Sequence, residues 1–260
     1  MTDPKDWFPS AEEPNPMRAA QGNMKPTLPK RFYKEAGFEE RSGRYFLTLD
    51  GRTAKTPSRH DLVVPSSGLA KALAQEWGAQ GEEIDPSTMP LTRIVNSAID
   101  GVAPRQAEVV DDLVRYSGSD LTCYRAGEPE RLAKAQDAAW GPVLDWAKAT
   151  HGARFNLAEG VIHVAQPEEA VTAVRRAVER IDSPFALAAL HVMTTLTGSV
   201  LIALAHSSGA IDVDQAWAAA HVDEVFQESL WGEDYEAMER RKRREGEFRA
   251  ASQVFQLASR

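Results

Sequence analysis

The first third of the chain alternates apolar and polar residues with the two-residue period of strands. This alternation predicts five short strands, at residues 31–34, 37–41, 44–49, 52–56 and 61–64. The pair Asp50-Gly51 lies between the third and fourth strands and favours a tight hairpin turn, because both turn positions require positive φ. Together these segments predict a small antiparallel sheet.

From Pro65 onward, apolar residues recur at the three- and four-residue spacing of helices. Ser66 or Ser67 can cap a first helix in which Leu69, Leu73 and Trp77 share one buried face. Further helices are predicted from residue 104, at 130–150 with a kink allowed at 141–142, from residue 167, at 185–211 and at 213–230. The last of them either ends at Gly232 or resumes in the charged stretch beyond it.

These elements predict an α+β protein with segregated strands and helices. Residues 1–29 are rich in proline and lack periodicity, which indicates a flexible arm. Residues 30–102 are expected to form an N-terminal domain of sheet and helix, and 103–260 a larger, all-helical domain resembling an orthogonal bundle. Trp7 and Phe8 in the arm either form a small docking element or have no such role.

The stretch from 185 to 211 has no Asp, Glu, Lys or Arg and is long enough to span a bilayer. Its several histidine, serine and threonine residues, and the lack of aromatic or basic flanks, favour a buried central helix instead. We therefore expect no membrane insertion.

Composition narrows the classes of function. The net charge of −8 disfavours nucleic acid as a partner. The single cysteine, Cys123, excludes an intrachain disulfide and a cysteine-based zinc site. The first residues form no apolar signal-like stretch. They contain acids and few arginines, unlike a mitochondrial transit peptide, so we expect a bacterial cytoplasmic protein.

Catalytic and cofactor motifs are not found in the sequence. It has no Walker-type loop, dinucleotide-binding glycine motif, nucleophile elbow or His-Glu-x-x-His, so we expect neither a cofactor nor a metal. His221, Asp223 and Glu224 are the one local group that could touch a metal. The alternative function is an enzyme with an unrecognised site around His191, His206 and Cys123.

A first motif runs from Glu76-Trp77 through Met89-Pro90 to Asn96. Trp77 shares its face with Leu69 and Leu73, so its expected role is structural. The other residues of the motif then form a loop that joins this helix to the next.

A second motif covers residues 220–232. If 213–230 is one helix, Trp217, Glu224 and Trp231 are nearly in line at seven-residue spacing, which places a carboxylate inside an aromatic stripe. A buried carboxylate requires a cation or several hydrogen bonds. Glu224 either forms an internal ion pair or lines a groove for a partner protein.

These blocks resemble the signature of the ATP synthase alpha-subunit assembly chaperones. The resemblance rests on residues 31–34, 49–57 and 76–96, the block 119–125, Gln136, Trp140 and the segment 227–232. It covers nearly all of the chain after about residue 30. The departure is the N-terminus, because mitochondrial members carry a targeting extension that this sequence does not show.

The resemblance implies a binding protein without cofactor or catalysis, a monomer when free. Its client would be the free alpha subunit of F-type ATP synthase, whose beta-facing interface it would shield until assembly. An acidic residue in the helical domain is functionally important in the family, and Glu224 is assigned to it, with Asp223 as the neighbouring choice. Gln227, Trp231 and Trp217 complete the expected contact set. Eukaryotic relatives would act in the mitochondrial matrix.

Overall fold

The computed structural model of the chain describes residues 28–160, 162–232 and 234–259. All but the last two residues of the expected arm, including Trp7 and Phe8, lie outside the described residues. The arm therefore stays a prediction.

The described residues contain six strands: β1 Ala36–Arg41, β2 Arg44–Leu49, β3 Arg52–Thr53, β4 Val63–Val64, β5 Tyr124–Arg125 and β6 Ala158–Glu159. The first four form the expected antiparallel sheet, in which β2 pairs with each of the other three. Asp50 and Gly51 have φ of 48° and 75°, which confirms the predicted turn. The last two strands make a short parallel pair.

The predicted strand at 31–34 is wrong. The chain there makes only an isolated bridge, between Lys30 and Glu83, because it runs beside the loop before residue 85 rather than beside a sheet edge. The Tyr33 side chain turns inward and donates its hydroxyl to the Trp77 carbonyl at 2.8 Å. The backbone amide of Lys34, the residue after Tyr33, donates a hydrogen bond to the Asp50 carboxylate at 3.0 Å.

Ten α-helices follow in the described part of the chain: α1 Ser67–Gly78, α2 Pro90–Ser97, α3 Gln106–Ser117, α4 Glu130–His151, α5 Glu168–Glu179, α6 Pro184–Thr197, α7 Val200–Ser207, α8 Val213–Ala220, α9 Val222–Trp231 and α10 Tyr235–Ala258. The Ser66 hydroxyl caps α1 by accepting a hydrogen bond from the Leu69 amide at 3.1 Å, as predicted. Helix α4 continues through Pro142 without interruption. The four strands of the sheet precede the helices along the chain, which confirms the α+β class.

The uncharged stretch 185–211 is two helices rather than one. Gly198 has a φ of 68°, which ends α6, and the Ser199 hydroxyl then caps α7 by accepting a hydrogen bond from the Ile202 amide at 3.0 Å. Most side chains of both helices are buried, since they lie at the centre of the helical layer. In residues 28–160, 162–232 and 234–259, no helix combines the length and the apolar character needed to cross a membrane.

Most buried apolar residues of sheet and helices belong to one continuous hydrophobic cluster. The predicted domain boundary near Gly101 to Pro104 falls in a π-helical turn, Ala98–Val102, and a 3-10 turn, Ala103–Arg105. The division into 30–102 and 103–260 stays a prediction.

Candidate protein-interaction site

Glu76, in the last turns of α1, directs its carboxylate at the first turn of α2. Its Oε1 accepts a hydrogen bond from the Leu91 amide at 2.8 Å, and its Oε2 accepts bonds from the Thr92 amide and hydroxyl at 2.8 and 2.6 Å. First-turn amides have no partner within their own helix, and Met89 before α2 offers no side-chain cap. Glu76 therefore caps α2 from a neighbouring helix, where its negative charge is also favourable.

The other residues of the first motif lie around this cap. Met89 is buried, and Pro90 occupies the first position of α2, where the missing N–H costs nothing. Trp77 is half-buried rather than in the core, because its ring lies at the edge of α1 against Tyr33, with ring centroids 5.5 Å apart. The buried Oδ1 of Asn96 has no donor among the described residues.

A buried carboxylate, Asp120, organises the block 119–125. It accepts hydrogen bonds from the Thr122 amide and hydroxyl, from the Ser199 hydroxyl at 2.6 Å and from the Leu201 amide at 3.1 Å. Complete burial raises its pKa, and these four bonds oppose that rise. Asp120 thus ties the loop before β5 to the start of α7.

Cys123 lies next to this carboxylate and is buried. Burial, with the nearby charge of Asp120, raises the pKa of the thiol to about 12. A thiol with so high a pKa is protonated at neutral pH and is therefore a poor nucleophile.

Arg125 extends this block to α4. Its guanidinium stacks on the ring of Trp140 with 4.8 Å to the centroid, and its Nε lies 3.1 Å from the Asp137 carboxylate. The Trp140 indole N–H in turn donates to the carbonyl of Ala219, near the end of α8, at 2.6 Å. The block 119–125 therefore positions α4, which in turn supports the end of α8.

Gln136 connects the same block to α9. Gln136 is buried, with 3% of its surface exposed. Its Oε1 accepts a hydrogen bond from the Ala126 amide at 2.7 Å, and its Nε2 donates one to Oδ1 of Asp223 at 2.7 Å. Both ends of the Gln136 amide are therefore engaged. Asp223 is held by one oxygen, whereas its Oδ2 has no donor among the described residues.

The expected single helix from 213 to 230 is wrong. The helix is interrupted at His221, whose φ is −122°, and this residue separates α8 from α9. The His221 ring stacks on Trp217 at 3.8 Å and donates from Nδ1 to the Trp217 carbonyl. Burial lowers the pKa of His221. The break also removes the aromatic stripe on which the burial of Glu224 was predicted.

The three residues of that stripe accordingly lie in different environments. Trp217 is 8% exposed and belongs to the core, where its ring also packs against Phe248. The side chain of Glu224 is 52% exposed, with 4.0 Å from its Oε2 to Nε2 of His221. Trp231 is 87% exposed. Glu224 is therefore a surface residue, not a buried carboxylate.

Helix α9 is the most exposed helix of the C-terminal half, and none of its ten residues is buried. Four large apolar residues are exposed on it and at the start of α10: Val225, Leu230, Trp231 and Tyr235. We call these four residues the α9 tip. Gln227 is exposed beside them. Large apolar side chains that are exposed close together in sequence, on a helix that buries none of its residues, make this segment a candidate for protein binding.

The basic run 240–244 lies in α10, behind the α9 tip. Arg241 pairs with Glu228 of α9 at 2.8 Å, and Arg244 donates to the Leu196 carbonyl at 2.8 Å. Both cations therefore make contacts within the fold. Arg241 connects α10 to α9, and Arg244 connects α10 to α6.

The three residues of the enzyme alternative have separate surroundings. His191 pairs with Asp112 at 2.8 Å and lines a cavity of about 610 Å³, whereas His206 bonds to Ser252 and Cys123 lies beside Asp120. Neither His206 nor Cys123 lines the cavity of His191. Among residues whose placement is described, no group of three His, Cys, Asp or Glu side chains is arranged to hold a metal ion, and this includes His221, Asp223 and Glu224.

The roles of Gln136 and Arg125 were not predicted from the sequence. Both belong to the blocks that carried the resemblance, but neither was assigned to the site. For Gln136, its place within the apolar stripe of α4 could have indicated the role, because a buried glutamine requires a polar partner from another element.

Known proteins resemble this chain over most of its length. The model of the ATP12 chaperone protein family matches residues 30–148. The Atu1473 protein of Agrobacterium tumefaciens has a structure with a TM-score of 0.86 and 47% sequence identity, over 95% of this chain and 92% of that one. Atp12 from Paracoccus denitrificans matches with a TM-score of 0.82 and 40% identity, over 88% of this chain and 98% of that one. The mitochondrial atp12 protein of Schizosaccharomyces pombe is 24% identical over 215 residues, which are 78% of this chain and 74% of that protein.

Proposed function

The chain belongs to the ATP12 chaperone family, and from this premise we propose that it binds the free alpha subunit of F-type ATP synthase and shields its beta-facing interface until assembly. The chain acts by binding, without catalysis or cofactor. It is a monomer when free, in a bacterial cytoplasm, whereas the Schizosaccharomyces pombe relative is mitochondrial.

The observation that carries this proposal is the α9 tip. Its four large apolar side chains are exposed on one short helix and the residues after it. An unassembled subunit exposes an apolar interface that aggregates unless it is covered. The α9 tip offers a matching apolar surface, and aromatic residues such as Trp231 and Tyr235 are the side chains that dominate such contacts.

Asp223 and Glu224 add a polar requirement at the base of the α9 tip. Gln136 fixes one oxygen of Asp223 and leaves the other for a partner, so little side-chain entropy is lost when a client amide or cation binds there. Glu224 is exposed one residue further on. We assign the main contact to Asp223, with Glu224 and Gln227 beside it. Trp217, which is in the core, supports α9 through His221 and does not touch the client.

Exchange of the client follows from the modest size of this surface. One helix and four apolar residues form a contact that a larger, obligate interface can replace. The beta subunit, which would bury much more of the alpha-subunit surface, is therefore expected to displace the chaperone.

Co-purification tests the proposed client. The immobilised full-length chain should retain isolated alpha subunit but not isolated beta subunit, and added beta subunit should release the bound alpha. Equal retention of both subunits, or no retention of alpha, would contradict the proposal.

A substitution in the α9 tip tests the proposed surface. Trp231→Ala should weaken alpha-subunit binding by roughly tenfold or more, because exposed aromatic anchors contribute strongly to interfaces. Its free energy of unfolding should change by less than about 0.5 kcal/mol, since the ring is exposed. Phe38→Ala, at an exposed phenylalanine in β1, is the matched control and should bind alpha like the unaltered chain.

A further inference from the structure

A second cavity of about 610 Å³ opens where the chain enters the described structure. It lies between residues 32–33, the hairpin of β2 and β3, and the end of α1. Its walls include Phe32, Tyr33, Leu49, Arg52, Lys55 and Trp77. Neither the α9 tip nor Asp223 lines this cavity.

Phe32 is the unexplained residue of this cavity. It is 73% exposed, yet the backbone around it is firmly held: the Arg31 amide donates to the Glu82 carbonyl at 2.8 Å, and the Ile84 amide to the Pro29 carbonyl at 2.8 Å. Phe32 is therefore exposed on a fixed segment. Fixed, exposed aromatic rings at the mouth of a cavity are typical of binding surfaces.

The other aromatic rings of the cavity form a continuous wall with Phe32. The rings of Phe32 and Tyr33 meet edge to face at 5.3 Å, and Tyr33 contacts the half-buried Trp77 at 5.5 Å. The indole Nε1 of Trp77 has no acceptor among the described residues. This wall suits an occupant with its own aromatic side chains and with backbone or carboxylate acceptors.

We propose that this cavity binds the N-terminal segment of the same chain, with Trp7 and Phe8 packed against Phe32 and Trp77. The segment 1–16 has four acids, Asp3, Asp6, Glu12 and Glu13, and one base, Lys5.

The charge at the rim of the cavity is opposite to that of the segment. Arg52 and Lys55 line the rim, and Lys55 also pairs with the exposed carboxylate of Asp61 at 2.5 Å. The one acid in the wall, Asp50, is already engaged by the backbone amides of Lys34 and Glu35. The acidic segment therefore meets the guanidinium of Arg52 at the rim, and this attraction favours docking.

The length of the connection also suits this occupant. Residues 9–27 join Phe8 to the first described residue, and about 20 residues in random-coil form would span an end-to-end distance of about 25 Å. That distance reaches a cavity that begins only four residues into the described chain. Tethering supplies a local concentration of order mM, so an interaction too weak to form between separate molecules is populated within one.

Site-specific photocrosslinking of the full-length chain tests this inference. Benzoylphenylalanine replaces Phe32 in one sample and Phe38, an exposed phenylalanine that does not line the cavity, in the control. Mixing equal amounts of ¹⁴N- and ¹⁵N-labelled protein before irradiation separates links within one molecule from links between copies. Mass spectrometry of the peptides identifies the partner residues.

The inference predicts links from position 32, but not from position 38, to residues 1–16 of the same molecule. Trp7→Ala combined with Phe8→Ala should lower their yield by roughly tenfold or more, since two apolar side chains are lost. Met17→Ala combined with Met24→Ala, in the same arm, should leave the yield unchanged. Links to another copy, links unaffected by the Trp7 and Phe8 substitutions, or no links to residues 1–16 would overturn the inference. None of these outcomes bears on alpha-subunit binding, which is measured separately.

Discussion

The C-terminal end of α1 and the start of α9 each present a carboxylate to a neighbouring element, but the two carboxylates differ in how many hydrogen bonds they accept. Glu76 of α1 receives three hydrogen bonds, all from the first turn of α2, and both its oxygens are engaged. Asp223 of α9 receives one, from Gln136, and one of its oxygens stays available. The first carboxylate completes the fold, whereas the second is oriented by the fold and left incomplete.

The surroundings of the two carboxylates differ in the same way. Glu76 lies beside buried Met89 and the helix that it caps, and both of its oxygens are engaged within the fold. Asp223 stands at the base of the α9 tip, on a helix that buries none of its residues. Acidic residues in a chaperone sequence are therefore distinguished by how many of their acceptor positions the fold itself uses.

Replacing Glu76 should have the largest effect on stability. Glu76→Ala leaves the Leu91 and Thr92 amides without an acceptor, and we expect a loss of about 2–3 kcal/mol in the free energy of unfolding. Urea denaturation measures it, with Gln75→Ala, at an exposed position of the same helix, as the control. A loss below about 0.5 kcal/mol would remove Glu76 from the structural side of the comparison.

Replacing Gln136 should give a smaller loss of stability together with a loss of binding. Gln136→Met removes the acceptor of the Ala126 amide and the donor to Asp223, at a cost of about 1–2 kcal/mol. Because Asp223 is then no longer oriented, affinity for the alpha subunit should fall as well. Lys134→Met, at an exposed position of α4, is the control and should change neither quantity. Unaltered binding by the Gln136 variant would mean that Asp223 needs no positioning.

Asp100 extends the structural side of the comparison, and its replacement is expected to affect stability alone. Burial alone would raise its pKa, but hydrogen bonds from His60, Thr56 and Ser58 outweigh burial and lower it to about 2. An aspartate with a lowered pKa stabilises the folded state in full above its unfolded pKa of about 4, and that contribution is lost as the pH falls through about 2.

Asp100→Asn should therefore cost about 1–2 kcal/mol at pH 7, and the difference from the unaltered chain should shrink as the pH is lowered from 5 to 3. Urea denaturation across that range measures it. Asp61→Asn, which breaks the exposed pair with Lys55, should cost little at any pH. A cost for Asp100→Asn that does not vary with pH would show that its charge is not what stabilises the fold.

The elements that the sequence predicts best are those fixed by local chemistry. The Asp50-Gly51 turn and the Ser66 cap depend on residues next to each other in the chain, and the structure confirms both. The helix breaks at Gly198 and His221 were missed. The first falls within the uncharged stretch 185–211, where no charged residue marks a boundary between helices. The second depends on the packing of the His221 ring against Trp217, which no local pattern reveals.

The site shows the same limit. The segment 220–232 was found, but its geometry was derived from one straight helix, so Glu224 was placed in a buried stripe that does not exist. The bond that distinguishes Asp223 from Glu224 comes from Gln136, 87 residues earlier in the chain. Contacts over that separation are set by tertiary packing, and one sequence alone does not reveal them.

Equilibrium binding of isolated alpha subunit to three proteins tests the central claim most directly: the unaltered chain, Asp223→Lys and Glu76→Gln, each confirmed as folded by near-UV circular dichroism. We predict that Asp223→Lys weakens binding by roughly tenfold or more, because a positive charge replaces an oriented acceptor. Glu76→Gln should bind like the unaltered chain. Undiminished binding by folded Asp223→Lys would contradict the account.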